Sequence, residues 1–259
     1  MTTWYIRRYI CDNGIEYKTK FPVREDLSCI RSARKKASAV QRAEKGATEA
    51  SHEFGRLLNC NFRVGRDWHL LLTYSDEGLR KLIKRAGSED IEALILSADR
   101  EYDNFLRRVK RRAEKQEVEV KAAAVISVTD PETGEIVRIH HHLVVNKAAV
   151  LLCSECWKAG EAKGRELWSS FGEDLQELAD YMIAQAARVG AGKRYTHTRN
   201  LVRAVVTKPI KARSADAELI VPRGCQKIWR SENKRGRAQH IRYWRPPIIP
   251  PGSEDEDAA

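Results

Sequence analysis

Two apolar segments joined by a turn constrain the fold of this chain most, because together they predict an antiparallel pair of buried strands. Residues 121–129 and 136–145 are rich in alanine and β-branched side chains, and β-branched residues pack well on a pleated sheet. The intervening Asp130-Pro131-Glu132-Thr133-Gly134 consists largely of turn-forming residue types. The sequence therefore predicts a hairpin whose outgoing strand carries three consecutive histidines: His140, His141 and His142.

These histidines point in alternating directions if residues 136–145 form a strand. Because alternate side chains share one face, His140 and His142 project together and His141 projects to the opposite side. Two imidazoles about 7 Å apart along a strand can bind one divalent cation, so we predict a metal site at His140 and His142. Imidazole favours Mn²⁺ over Mg²⁺, although Mg²⁺ can serve because it is abundant in cells. The alternative is a pair of histidines that only form hydrogen bonds.

The rest of the chain predicts helices around this sheet. Two short strand-like runs flank the turn Asp12-Asn13-Gly14, at 4–10 and 15–21. Trp68–Tyr74 is an apolar run of strand length. Helical spacing predicts helices at 31–58, 77–86, 89–113, 148–158 and 172–187. After Gly192 the pattern fades into short basic strands, loops and an unpacked tail. We therefore expect an α+β fold, an antiparallel β-sheet with flanking helices.

One tyrosine has a distinctive place on the helix predicted at 172–187. Leu175, Leu178 and Met182 form the apolar stripe of this helix. At about 100° per residue, Tyr181 lies at the flank of that stripe. Its ring can pack while its hydroxyl reaches a cleft. Position alone is more typical of an ordinary tyrosine at the edge of a core.

The charge of the chain predicts a polyanionic partner. It contains 47 Lys and Arg against 36 Asp and Glu, a formal net charge of +11. Lysine and arginine bind nucleic acid because neutralised phosphates release condensed counterions. We expect phosphate contacts from two basic groups: Arg107, Arg108, Arg111 and Arg112, and Lys193, Arg194 and Arg199. A basic surface without such a partner is the alternative.

Neither a membrane segment nor a secretory signal is predicted. No apolar run reaches membrane-spanning length, and the first residues lack an apolar stretch. We therefore expect a cytoplasmic protein with no membrane partner. Cys153 and Cys156 have the spacing of zinc ligands, but a structural zinc site usually needs a second pair. Reduced thiols are the preferred interpretation.

The order of these features resembles the three motifs of HUH endonucleases that initiate rolling-circle replication. Leu71-Leu72-Thr73-Tyr74 comes first, the strand from His140 to Asn146 comes second, and the helix with Tyr181 comes third. More narrowly, the chain resembles Rep proteins of bacterial phages and plasmids at Asn61-Phe62, Gly192-Lys193-Arg194-Tyr195 and Thr198-Arg199-Asn200-Leu201. The resemblance covers residues 55–205.

This resemblance implies a fold, an activity, partners and a location in a bacterial host cell. The fold would be an antiparallel sheet with helices of the HUH endonuclease type. His140 and His142 would bind a divalent metal ion, Mn²⁺ or Mg²⁺, and Tyr181 would be the nucleophile that nicks single-stranded origin DNA and keeps its 5′-phosphate. A host helicase is an implied partner, since the sequence has no Gly-x-x-x-x-Gly-Lys-Ser/Thr phosphate loop. The expected organisation is a hairpin and basic helix at 1–54, a nicking domain at 55–205 and a basic extension at 206–259.

Two departures from the family pattern affect the catalytic residues. Many relatives carry a lysine three residues after the tyrosine, where this chain has Ala184, and Lys193 or Arg194 could substitute. Relatives often have an acidic third metal ligand, for which the candidates are Glu119, Asp130 and Glu132. A relaxase or a single-tyrosine transposase would use the same chemistry. A non-catalytic DNA-binding protein and a zinc hydrolase are the remaining alternatives.

Overall fold

The computed structural model describes residues 2–24, 39–129, 136–187, 193–232 and 239–247. The turn expected at 130–134, the first part of the basic helix at 31–38 and the tail beyond 247 lie outside the described residues. Within the described ranges, no helix is long and apolar enough to cross a membrane. The elements follow each other in this order: β1 (Thr2–Ile10), β2 (Ile15–Arg24), α1 (Ala39–Asn61), β3 (Trp68–Tyr74), α2 (Asp76–Ala86), α3 (Ile91–Lys115), β4 (Ala122–Thr129), β5 (Ile136–Val145), a 3₁₀ turn (Lys147–Ala149), α4 (Val150–Cys156), β6 (Gly160–Glu166), α5 (Gln176–Ala184), β7 (Thr196–His197), β8 (Val205–Val206), β9 (Ile210–Lys211), β10 (Gln226–Glu232) and β11 (Gln239–Trp244).

Contacts between residues divide the chain into two compact units. Residues 37–203 form one unit, and residues 1–36 together with 204–259 form the other. The organisation expected from the sequence followed the order of the chain, as 1–54, 55–205 and 206–259. In the structure, both ends of the chain contribute strands to one sheet, and α1 packs in the same unit as the histidine strand.

The unit formed by residues 37–203 contains one five-stranded sheet. Its order is β6-β3-β5-β4-β7, and each neighbouring pair is antiparallel. The expected hairpin is β4 with β5, which pair from Ala122 opposite Val145 to Thr129 opposite Ile136. With helices packed on the sheet, these features confirm an α+β fold built on antiparallel strands.

Strand β6 was not expected from the sequence. Its residues, GEAKGRE, show no apolar alternation, since the strand lies at the sheet edge and is mostly exposed. Two glycines allow the close approach of β3. A Cβ atom at Gly160 would lie 2.1 Å from the Thr73 carbonyl oxygen, and one at Gly164 would lie 2.4 Å from the His69 carbonyl oxygen.

Helices cover both faces of this sheet and bury a separate core on each. Helices α1 and α5 pack on one face, over a core that includes Phe54, Leu58, Val144, Ala179 and Met182. Helices α2, α3 and α4 pack on the other face, with Leu82, Tyr102, Phe105, Leu143 and Leu152. A fully buried leucine or phenylalanine contributes roughly 1.5–3 kcal/mol. Cys153 and Cys156 are buried in the second core and form no disulfide.

The unit built from the two chain ends contains a second antiparallel sheet. Its order is β10-β11-β2-β1-β8, with β9 also paired to β1. Strands β1 and β2 form the hairpin expected around Asn13 and Gly14, where Gly14 adopts a φ of 83°. In its interior, buried Glu16 accepts a hydrogen bond of 2.7 Å from the Tyr243 hydroxyl and pairs with Arg245.

Candidate functional site

The site begins on β5, where two histidines face each other. His140 Nε2 lies 3.2 Å from His142 Nε2, and His140 Nδ1 lies 2.9 Å from the carbonyl oxygen of Arg138. A carbonyl oxygen only accepts hydrogen bonds, so Nδ1 of a neutral His140 carries the proton and Nε2 presents a lone pair. Two nitrogens that bind one cation at about 2.0–2.1 Å are roughly 3.0–3.4 Å apart. The His140–His142 pair therefore has the spacing of a chelating pair.

A third histidine, which the sequence analysis did not single out, joins this pair from β3. His69 Nε2 lies 3.1 Å from His142 Nδ1. Strand β3 pairs with β5 so that Leu71 is opposite His142, and His69, two residues from Leu71, lies on the same face. Alternation along Trp68–Tyr74 could have assigned His69 to a face, but only the pairing register places it beside His142.

Burial keeps two of these rings neutral. It lowers the pKa of His69 to about 4, and the charge of Arg165 adds to this effect. It lowers the pKa of His142 to about 3, and the neighbouring His69 and His140 act in the same direction. A neutral imidazole has one lone pair, which can accept a hydrogen bond or bind a metal ion.

His141 occupies the opposite face of β5. It is fully buried, and its Nε2 atom lies 2.9 Å from the Tyr74 hydroxyl oxygen. Its ring packs against the rings of Tyr102 and Trp157. Burial lowers the pKa of His141 to about 3. This side chain belongs to the core under α3 and does not share a face with His140 and His142.

Helix α5 brings Tyr181 to the histidine face. The rings of Tyr181 and His142 meet edge to face, with centroids 5.4 Å apart and planes at 81°. Such contacts fix ring orientation. Tyr181 is still 41% exposed, so a ligand can approach it.

Polar contacts with α1 hold α5 in place. Asn59 accepts a hydrogen bond of 2.8 Å from the backbone amide just before the helix and donates one of 3.0 Å to Asp174. Asp174 also accepts a hydrogen bond from the backbone amide of Gln176, the first residue of the helix. One turn later, Ser51 donates to Asp180. The helix begins at Gln176, four residues after the start predicted at 172.

The end of α5 places an unused oxygen beside the histidines. Gln185 is buried, and its amide nitrogen donates to the Tyr181 carbonyl oxygen at 3.2 Å. Its Oε1 atom is buried and has no hydrogen-bond partner in the described part of the chain. The carboxamide lies close enough to His142 to favour the charged form of that ring. Gln185 follows Tyr181 by one helical turn, a spacing in the sequence that indicates neighbouring positions on one helix face.

The residues present fit a divalent cation. A buried polar atom without a partner is unfavourable unless something binds it, and an amide oxygen is a ligand suited to Mg²⁺ and Mn²⁺. Two imidazole nitrogens, from His140 and His142, and the Gln185 oxygen would make a mixed nitrogen and oxygen set.

His69, His140 and His142 nevertheless do not direct three nitrogens at one point. Among the described residues, no group of three or more His, Cys, Asp and Glu side chains could hold a metal ion. The reason is that His142 lies between His69 and His140, with one ring nitrogen facing each. Of the acidic candidates, Glu119 accepts a hydrogen bond from Asn200, and Asp130 and Glu132 lie outside the described residues.

The four arginines expected to bind DNA on α3 lie across the sheet from the histidines, since α3 packs on the other core. Arg108 and Arg112 form ion pairs with glutamates at 3.0 and 2.5 Å. Arg107 donates to a neighbouring asparagine at 3.3 Å, and Arg111 is exposed. The structure does not bring this group together with Tyr181.

The second basic group flanks β7, at the sheet edge next to β4. Lys193 and Arg199 are exposed, and Arg194 is partly buried. Arg199 lines a groove together with Lys110 from α3. Thr198, the residue before Arg199, donates a backbone hydrogen bond to Ala122. Ala122 lies at the opposite end of β4 from the residue that pairs with His140. Of the second basic group, Arg199 therefore shares a groove with α3, several residues along the sheet from the histidines.

No protein-family model, curated protein or solved structure matches this chain significantly.

Proposed function

We propose that this protein is an HUH-type endonuclease that initiates rolling-circle replication by nicking single-stranded origin DNA with Tyr181. The observation that carries the proposal is the contact between the rings of Tyr181 and His142. A tyrosine from a helix lies against a strand-borne histidine pair whose Nε2 atoms are 3.2 Å apart. The order of the three motifs in the sequence supports the same proposal.

In this mechanism His140, His142 and Gln185 would hold the divalent ion, Mn²⁺ or Mg²⁺. When bound, the ion would polarise a phosphate oxygen and orient the scissile phosphate. The Oη atom of Tyr181 attacks the phosphorus and loses its proton. The bond from phosphorus to the 3′ oxygen breaks, and that oxygen leaves as a hydroxyl after taking up a proton. The ester keeps the 5′-phosphate on the protein, so a later 3′-hydroxyl can reverse the step.

The chain's own residues contribute position and a choice of nucleophile. Contacts of α5 with α1 fix the backbone that carries Tyr181, and a nucleophile held in fixed geometry reacts faster. Tyr195, which follows Lys193 and Arg194 in the chain, packs against Phe54 with ring centroids 4.6 Å apart. Burial raises the pKa of Tyr195, which disfavours its phenolate.

A host helicase would unwind the DNA after the nick.

The proposal is tested by trapping the covalent product. We would incubate the protein with labelled single-stranded oligonucleotides of randomised sequence, with and without Mn²⁺, and separate the products on a denaturing gel. A labelled band at the mass of the protein, seen only with the metal, is expected. Tyr181→Phe should abolish the band and leave DNA affinity nearly unchanged.

Tyr195→Phe is the matched control, since it removes a hydroxyl from another tyrosine of the same unit. It should still form the covalent product. A band that persists in Tyr181→Phe and disappears in Tyr195→Phe would overturn the assignment of the nucleophile. Binding of single strands without any covalent product would favour a non-catalytic DNA-binding protein.

A further inference from the structure

We propose that His69 is a positioning residue that accepts a hydrogen bond from Nδ1 of His142 when a metal ion binds Nε2 of that ring. The proposal rests on the metal site proposed above. Its basis is the row of contacts Arg138–His140–His142–His69, in which every hydrogen-bond distance lies between 2.9 and 3.2 Å.

The positions of the protons in this row are linked. The Arg138 carbonyl oxygen fixes the proton of a neutral His140 on Nδ1, which leaves Nε2 as an acceptor. His142 can then donate from Nε2 to His140, in which case its Nδ1 accepts a proton from His69 Nε2. In the alternative arrangement, His142 carries its proton on Nδ1 and donates to His69 Nε2. Both arrangements satisfy the contact between His69 and His142.

The two arrangements differ at the metal site. In the second, the lone pairs of His140 Nε2 and His142 Nε2 face each other at 3.2 Å. Such a pair repels unless a cation lies between the two nitrogens, so binding of a cation selects the second arrangement. His69 must then change from donor to acceptor. An imidazole can do so by moving its own proton to the other ring nitrogen.

His69 therefore acts through His142 and not on the cation. The Nε2 atom of His69 faces Nδ1 of the His142 ring. The cation would bind on the other side of that ring, between Nε2 of His142 and Nε2 of His140. Hydrogen-bond partners of metal-binding histidines fix the tautomer, and their loss typically weakens metal affinity about 10–100-fold. Without an acceptor, the buried Nδ1–H group of His142 would lose its hydrogen bond whenever the ion binds.

Two variants separate the hydrogen bond from the space that His69 fills. His69→Leu removes both donor and acceptor, and we expect Mn²⁺ affinity to fall about 10–100-fold. His69→Gln places an amide that can donate or accept, and we expect most of the affinity to return. His197→Leu is the matched control, since it removes a histidine from β7 of the same sheet. It should bind Mn²⁺ as the wild type does.

The metal affinity would be measured by titration with Mn²⁺, following the signal of the free ion by electron paramagnetic resonance. Nitrogen NMR of histidine-labelled wild-type protein reports the tautomers directly, with Zn²⁺ as a diamagnetic probe. We expect His142 to hold its proton on Nε2 without the ion and on Nδ1 with it. Equal Mn²⁺ affinity of His69→Leu and wild type, or Zn²⁺ bound through Nδ1 of His142, would overturn the proposal.

The outcome also separates this inference from the proposed function. If Mn²⁺ binding requires His140 and His142 but is indifferent to His69, only the role of His69 is wrong. If wild-type protein binds neither Mn²⁺ nor Zn²⁺ at these histidines, both the metal site and the role of His69 are wrong.

Discussion

At the scale of single residues, His141 and His142 are neighbours in the chain with different surroundings. His142 contacts two other histidines and a tyrosine, whereas His141 is enclosed by the aromatic rings of Tyr102 and Trp157. Strand alternation predicted this separation from the sequence alone. The identity of the surrounding groups could not be predicted, because they come from elements distant in the chain.

The two faces lead to different effects of the same substitution. We expect His140→Ala or His142→Ala to abolish Mn²⁺-dependent cleavage while the protein remains folded. His141→Ala should instead lower the free energy of unfolding by about 2–4 kcal/mol, because it leaves a cavity in the core. Below its melting temperature this variant should keep much of its cleavage. Oligonucleotide cleavage and urea unfolding of all three variants would check this, and equal loss of cleavage in three folded variants would contradict the face assignment.

The buried His141 also predicts how stability depends on pH. Its pKa is lowered to about 3 in the folded protein, against about 6.5 in an unfolded chain. Its contribution is fully present above about pH 6.5 and is lost as the pH falls towards 3, because the unfolded state then binds the proton more tightly. Between these limits one such histidine changes the free energy of unfolding by about 1.4 kcal/mol per pH unit.

Urea unfolding of metal-free protein at pH 7.5, 6.5, 5.5 and 4.5 measures this slope. His141→Phe removes the titrating group and keeps an aromatic ring, so its stability should fall less steeply with acid than that of the wild type. Parallel pH profiles of the two proteins would show that His141 is protonated equally in both states.

At the scale of elements, the pattern of apolar residues predicted the strands that have a buried face. It did not predict strands that are mostly exposed. The hairpin of β4 and β5 and the strand Trp68–Tyr74 are buried, and their composition indicated strands. Strand β6 lies at an exposed edge, so nothing in its sequence distinguishes it from a loop. The sequence likewise indicated Tyr181, His140 and His142, but not the positions of His69 and Gln185, which depend on strand register and on where α5 ends.

Strand β6 leads to a prediction about DNA binding. Lys163 is opposite Leu71, and Arg165 is opposite His69, so both lie on the face of the histidines, whereas the arginines of α3 lie on the other face. Reversing both charges with Lys163→Glu and Arg165→Glu should weaken single-strand binding more than Arg107→Glu with Arg111→Glu does. Each phosphate contact that is lost should reduce the dependence of log affinity on log salt by about 0.7.

Fluorescence anisotropy with one labelled single strand, repeated across a series of salt concentrations, measures both quantities. The two double variants change net charge equally, so a general charge effect would weaken both alike. A larger loss from the α3 pair would mean that DNA follows the face opposite Tyr181.

At the scale of the whole molecule, the site and both cores of the five-stranded sheet lie within residues 37–203. We therefore predict that this segment, produced alone, folds cooperatively and binds Mn²⁺ with the affinity of the full chain. Circular dichroism during thermal unfolding and the Mn²⁺ titration test this. A segment that folds but does not bind the ion would show that the chain ends contribute to the site.

The second sheet has a consequence for how the protein is made. Strands β1 and β2 leave the ribosome before residues 37–203, whereas β11, which pairs with β2, and β8 and β9, which pair with β1, leave it only after residues 37–203 have been synthesised. A two-stranded hairpin is at best marginally stable by itself. Strands β1 and β2 therefore become stably folded only once β8, β9 and β11 can pair with them. Their delay costs little entropy, because closing a longer loop becomes only slowly less favourable with length. Strands β1 and β2 therefore reach their native pairing only after β8, β9 and β11 have been synthesised.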